Sequence, residues 1–73
     1  MNTVAVYRQR SEALRIASYL NKEKIACTTI NIPSYLKIGC GLSVVFDGTY
    51  KDKVYKANDM YNMKSFAGLF PRR

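Results

Sequence analysis

The sequence contains no histidine among its 73 residues. Without an imidazole, the chain alone cannot form a Ser-His-Asp triad or a Cys-His nucleophile pair, and it lacks the commonest ligand of transition metals. Only two cysteines are present, Cys27 and Cys40, which are too few for a disulfide scaffold and wrongly spaced for a zinc site. Most hydrolytic enzymes are therefore disfavoured, and neither a metal nor another cofactor is expected.

Long apolar runs are also missing. No run approaches the roughly 20 residues that a transmembrane helix needs, and residues 1–7 lack the apolar stretch of a secretory signal. The sequence has no internal repeat and no low-complexity segment. We therefore expect a single small domain over residues 1–73, located in the cytoplasm and without membrane contact.

Acidic residues are few compared with basic ones. Twelve Lys and Arg against five Asp and Glu give a formal net charge of +7, which favours anionic partners. The cations fall in every segment of the chain. Two interpretations therefore stay open, an evenly solvated basic surface or a patch that contacts nucleic acid or an acidic protein.

Segments rich in β-branched residues alternate with segments of helical period, which predicts strands and helices in turn. Pro33 has no N–H to give to a sheet and should end the second strand. Ser11 and Thr49 are predicted to cap the two helices. The predicted elements are a strand over 3–7, a helix over 11–22, strands over 25–32 and 42–46, a helix after residue 49, and a short strand or extended tail over 65–70.

This order predicts an α+β, ferredoxin-like βαββαβ fold, in which two helices pack on one face of a four-stranded antiparallel sheet. In that topology the third strand lies between the first and second, so its start meets the end of the first. Cys40 should then lie near Tyr7 and Arg8. The start of the first helix brings Arg10 and the positive end of the helix dipole to the same edge, with Lys37 available from the loop.

Cys40 stands between Gly39 and Gly41, which predicts a thiol that other molecules can reach. Cations and helix N-termini favour the thiolate, the nucleophilic form of cysteine. A competing interpretation is that Cys40 is a small packed side chain and that the glycines only shape the loop. Cys27, in mid-strand, is expected to be structural. The predicted site consists of the Cys40 thiol with the binding residues Arg8, Arg10, Lys37, Gly39 and Gly41.

A ferredoxin-like sheet with a basic surface also suggests RNA recognition. The segment from Ile38 to Val45 can be laid on the third-strand signature of RNA-recognition modules, but Cys40 and Leu42 stand where that signature has stacking aromatics. Among the tyrosines, Tyr7 and Tyr35 are candidates for a functional role near Cys40. Three other tyrosines are expected to lie at the edge of the core: Tyr19, Tyr50 and Tyr61.

The chain combines several features: the opening strand, the helix from Ser11 to Leu20, Ile25, Pro33, and Cys40-Gly41-Leu42 with Phe46. In these features the chain resembles a family of small selenium or sulfur (Se/S) carrier protein-like domains. The resemblance implies that Cys40 is the attachment point of a persulfide or selenide, in a carrier or binding protein rather than a stand-alone enzyme, with a sulfur or selenium donor or acceptor enzyme as its protein partner. The alternative is a non-catalytic basic module that contacts nucleic acid or an acidic protein. A homodimer is compatible with both.

Overall fold

The computed structural model describes all 73 residues, which form four strands and two α-helices in the order β-α-β-β-α-β. Single 3₁₀ turns at Ser34–Leu36 and Gly48–Tyr50 precede β3 and α2. The elements are β1 (Thr3–Tyr7), α1 (Arg10–Lys22), β2 (Cys27–Ile30), β3 (Leu42–Phe46), α2 (Lys51–Met60) and β4 (Phe66–Pro71).

The four strands form one antiparallel sheet in the order β2-β3-β1-β4. This confirms the α+β, ferredoxin-like prediction. Tyr7 pairs with Leu42, so the end of β1 lies against the start of β3, as expected. Neither helix has the length and apolar character needed to cross a membrane.

The main core lies between the sheet and the two helices. Its α1 residues recur at helical spacing, which gives α1 one buried face. Each fully buried aliphatic side chain contributes about 1.5–3 kcal/mol relative to an exposed one. The buried residues of this core are Ala5 and Tyr7 of β1, Leu42, Val44 and Phe46 of β3, Ala13, Ile16, Ala17 and Leu20 of α1, Val54 and Ala57 of α2, and Ile25.

The opposite face of the sheet is covered by the loop between β2 and β3, residues 31–41, here called the covering loop. Three aliphatic side chains of this loop pack against buried valines of β1 and β3. RNA-recognition modules stack bases on this face of the sheet. The packing of the covering loop on this face argues against base stacking there. The packed residues are Ile32, Leu36 and Ile38 on Val4, Val6 and Val45.

The start of α1 differs from the prediction. The helix begins at Arg10 with Gln9 as its N-cap residue, and Ser11 lies inside the first turn. The cap comes from a distant part of the chain, because the Ser65 hydroxyl accepts the Gln9 N–H at 3.1 Å. Glu12 does not fold back onto its own helix but accepts the Ser65 N–H at 2.8 Å and the Ser65 hydroxyl at 2.6 Å. Tertiary hydrogen bonds have replaced the local cap.

The start of α2 also differs. Thr49 is not the cap but a donor, since its N–H and hydroxyl both bond to the Asp47 carboxylate at 2.9 and 2.7 Å. These bonds hold the pKa of Asp47 below its usual value. The carboxylate closes a 3₁₀ turn, and α2 begins one residue later than predicted, at Lys51.

Strand β2 is shorter than predicted at both ends. Lys24 has a left-handed φ of 61°, and the Ile25 N–H donates to the Leu20 carbonyl at 2.9 Å. This is a Schellman motif, in which the residue after the left-handed position packs on the helix. Ile25 therefore belongs to the end of α1 and is buried, while Ile32 has turned into the covering loop.

Tyr7 is a core residue, which corrects its assignment as a functional candidate. Its side chain is fully buried, and its hydroxyl donates to Asn58 Oδ1 at 2.6 Å, which links β1 to α2. Burial raises the pKa of Tyr7 well above its usual value, and the Asn58 hydrogen bond offsets this only in part. Tyr50 and Tyr61, which flank α2 at its two ends, are more than a third exposed. The buried face of α2 is therefore narrower than the sequence predicted.

Candidate functional site

Cys40 is an exposed free thiol at the edge of the sheet. It stands two residues before β3, at the end where β3 meets the last residue of β1. The covering loop ends here after crossing the open face of the sheet. Cys40 is therefore held by packed structure on both sides while its own side chain faces solvent.

The two flanking glycines have different roles. Gly39 has a φ of +105° and open space where a side chain would lie, so only its backbone conformation requires glycine. Gly41 has a φ of +147°, and a Cβ there would collide with the carbonyl oxygen of Tyr7 and lie 2.9 Å from Arg8 Cα. This close approach places the segment beside Cys40 against the end of β1, where the topology put it.

A cleft of about 400 Å³ opens beside the thiol. Arg10, a positively charged residue at the start of α1, lines it, and the helix dipole has the same sign at this end. No acidic residue lines the cleft, so it is electropositive. The lining residues are Arg10, Asn31, Ile32, Gly39, Cys40 and Gly41.

Asn31 and Ile32 were missed by reasoning from the sequence. They were assigned to β2, whereas the strand ends at Ile30 and both residues belong to the covering loop. The pairing of β2 with β3 places both residues at the cleft. Ile30 pairs with Ser43, so the residues after Ile30 must lie beside the start of β3. Asn31 adds the only side-chain amide of the cleft.

Arg8 and Lys37 are both exposed, but neither lines the cleft. The backbone of Arg8 lies against Gly41, and its N–H donates to the Ser65 carbonyl at 2.9 Å. Lys37 follows the 3₁₀ turn with a left-handed φ of 56°. Of the three cations proposed for this edge, the structure thus brings Arg10 to the cleft of the thiol and leaves the side chains of the other two outside it.

Cys27 lies at the opposite end of the sheet from Cys40. It pairs with Phe46, the last residue of β3, and both cysteines are free. The half-buried Cys27 thiol donates to the Ala17 carbonyl at 3.6 Å and to Asn21 Oδ1 at 3.5 Å. Burial raises the pKa of this thiol, which keeps it protonated and less reactive.

The cleft combines one nucleophilic atom with groups that bind anions. Cations and the bare backbone of left-handed glycines are general means of holding an anion. No carboxylate or second cysteine lines the cleft, and no group of three or more His, Cys, Asp or Glu residues in the chain could hold a metal ion. This arrangement can accept and present a group on sulfur, but the chain supplies no general base beside it.

A family model described as Putative Se/S carrier protein-like matches residues 2–64, which is most of the chain. The matched range contains the whole of the cleft. No curated protein and no solved structure matches the chain.

Proposed function

Because the chain belongs to the Putative Se/S carrier protein-like family, we propose that it carries a sulfur or selenium atom on the thiol of Cys40. The observation that supports this most directly is that the Cys40 thiol is free and exposed, inside a cleft lined by a cation and two glycines. A carrier needs a sulfur atom that two partners can reach in turn. Burial at this position would have argued against the proposal.

The proposed loading step is a transfer between thiols. The Cys40 thiolate attacks the terminal sulfur of a donor persulfide, a new S–S bond forms on Cys40, and the donor S–S bond breaks. The donor leaves as a thiolate. This thiolate takes up one proton, which balances the proton that the Cys40 thiol released. No external oxidant or reductant is needed. The unloading step is the same reaction with an acceptor, and selenium takes the place of the terminal sulfur without other change.

Arg10 has a defined part in this proposal. A persulfide is an anion when deprotonated, and the charge of Arg10, which lines the same cleft, would stabilise it. Asn31 supplies an amide on the same cleft. We assign Arg10, Gly39 and Gly41 to the binding of the carried group. Arg8 and Lys37, which lie outside the cleft, are assigned to contact with a partner.

The partner in this proposal is a sulfur or selenium donor or acceptor enzyme. The basic surface favours an acidic partner. Both outer strands of the sheet, β2 and β4, have free edges through which two copies of the chain could pair, and this homodimer stays a prediction. We place the protein in the cytoplasm, where thiols remain reduced.

Loading by a cysteine desulfurase tests the proposal. The protein is incubated with the desulfurase and cysteine, and its intact mass is measured with and without a reductant. We expect wild type and Cys27→Ser to gain one sulfur atom that the reductant removes, and Cys40→Ser to gain none. Cys27→Ser is the matched control, because it removes the other thiol. Equal labelling of Cys40→Ser and wild type would overturn the proposal.

The alternative of a basic binding module gives a different result. Such a module would bind polyanions with an affinity that falls steeply with salt and is the same in Cys40→Ser. A carrier would keep its sulfur at any salt concentration. Measuring both properties on the same preparations distinguishes the two functions.

A further inference from the structure

The largest cavity of the molecule lies at the opposite edge of the sheet from Cys40. It is a cleft wide open to solvent with a volume of about 630 Å³, and small-molecule sites have volumes of about 300–1,000 Å³. β1 begins here, β4 ends here, and α2 starts beside it. It shares no lining residue with the Cys40 cleft.

The cavity is positively charged. Lys51 and Arg72 line it, and no acidic residue does. The single ion pair of the molecule, Lys53 with Glu23, lies elsewhere. The carboxylate of the neighbouring Asp47 is already bonded to Thr49. Lys51 and Arg72, which make no ion pair, can hold a phosphate or a similar anion between them.

The wall of the cavity also has features that recognise a flat group. Tyr55 lines it with a ring that is 47% exposed and packs edge-on against Phe66 at 6.1 Å between ring centroids. Leu69 and Pro71 belong to β4, an outer strand with half of its peptide groups directed away from β1. An aromatic ring and free peptide groups can stack on and hydrogen-bond to a nucleobase.

A peptide strand added to β4 fits these observations less well. The cavity contacts only residues 69–71 of β4, and Pro71 has no N–H to pair with. The edge is interrupted by Gly68 at φ +126° and by the shift in register opposite Val6 and Tyr7. A compact ligand with one anionic and one planar part matches the cavity better than an extended chain.

We propose that this cavity binds a mononucleotide. Lys51 and Arg72 hold the phosphate, Tyr55 stacks on the base, and the free edge of β4 contacts the edge of the base. The backbone of Arg72 is anchored beside the start of β1, because its N–H donates to the Asn2 carbonyl at 2.9 Å. The site is independent of sulfur transfer on Cys40, so either function can fail without the other.

Amide NMR shifts during titration with AMP test this proposal, with inorganic phosphate and adenosine as separate arms. We expect saturable shifts at Gly48, Lys51 and Arg72 but not at Cys40. AMP should bind more tightly than either of its parts. Lys51→Gln should raise the AMP dissociation constant about tenfold, the effect of losing one charge-assisted hydrogen bond. Lys56→Gln is the matched control, since this exposed cation of α2 does not line the cavity.

Three results would overturn the proposal. The first is the absence of saturable shifts with AMP up to about 10 mM, where binding is weaker than that of any specific nucleotide site. The second is an equal effect of Lys51→Gln and Lys56→Gln, which would indicate a diffuse charge effect. The third is phosphate alone binding as tightly as AMP, which would remove the role of Tyr55. The spectra of the variants show directly whether they are folded.

Discussion

At the scale of single residues, the cysteine loop depends on two glycines that are not equivalent. We expect Gly41→Ala to lower the free energy of unfolding by about 3–4 kcal/mol, because strained backbone and a collision with Tyr7 act together. Gly39→Ala should cost about 1–2 kcal/mol, from backbone strain alone. Urea unfolding of both variants measures the difference. Equal losses would contradict the close approach of Gly41 to β1.

Arg10 is the residue that gives the Cys40 cleft its charge. Alkylation of Cys40 by anionic iodoacetate should be favoured by this cation relative to neutral iodoacetamide. We expect Arg10→Gln to lower the ratio of the two rates about threefold to fivefold, as one nearby charge at high dielectric allows. Lys37→Gln removes the same charge outside the cleft and should leave the ratio nearly unchanged.

An unchanged ratio in Arg10→Gln would show that the guanidinium does not act on the thiol. The measurement uses Cys27→Ser as the parent protein, so that only one thiol reacts.

At the scale of elements, Glu12 joins the start of α1 to the segment before β4. Desolvation acts to raise the pKa of Glu12, but hydrogen bonds from Ser65 and Lys64 outweigh it and leave the pKa below 4.5. A lowered carboxyl pKa stabilises the folded state above pH 4.5, and this stabilisation is lost as pH falls through the lowered value. We expect Glu12→Gln to lose about 1 kcal/mol at pH 7 and to lose less stability than wild type on acidification.

Chemical unfolding between pH 7 and pH 3 checks this prediction. Glu23→Gln is the control, because Glu23 makes an exposed ion pair and should change stability less. A parallel acid dependence in wild type and Glu12→Gln would contradict the assignment.

Tyr7 joins β1 to α2 through its hydroxyl. We expect Tyr7→Phe to lower the free energy of unfolding by about 1–2 kcal/mol, because the half-buried Asn58 side chain would lose its hydrogen bond. Sulfur loading of Cys40 should not change. A large loss of loading in a folded Tyr7→Phe protein would show that the Tyr7 hydroxyl has a role in sulfur transfer.

At the scale of the whole molecule, element order and hydrophobic period were enough to predict the fold. Strands β1 and β3 have the predicted limits, and the start of β3 meets the end of β1 as expected. These features depend on local pattern and on a small set of allowed connections. The exposure of Cys40 followed from its two glycine neighbours.

What the sequence did not predict depends on contacts between distant residues. Ser65 caps α1 from more than fifty positions away, and no local signal distinguishes it from Ser11. The covering loop looked like an ordinary connection, although the apolar residues Ile32, Leu36 and Ile38 mark it as a packed segment. The exclusion of Arg8 and Lys37 from the cleft depends on side-chain direction, which spacing along the chain does not determine.

The two edges of the sheet have different chemistry in this account. One edge has the free thiol and Arg10, and the other has Lys51, Tyr55 and Arg72. The two proposals, sulfur transfer and mononucleotide binding, therefore concern separate places on a domain of 73 residues.

Sulfur carriage on Cys40 is tested most directly by locating the carried atom within the chain. Wild-type protein is loaded by a desulfurase, alkylated and digested with trypsin, which leaves Cys27 in residues 25–37 and Cys40 in residues 38–51. We expect mass spectrometry to find the added sulfur in the 38–51 peptide alone. Added sulfur in the 25–37 peptide to the same extent, or in neither peptide, would contradict it.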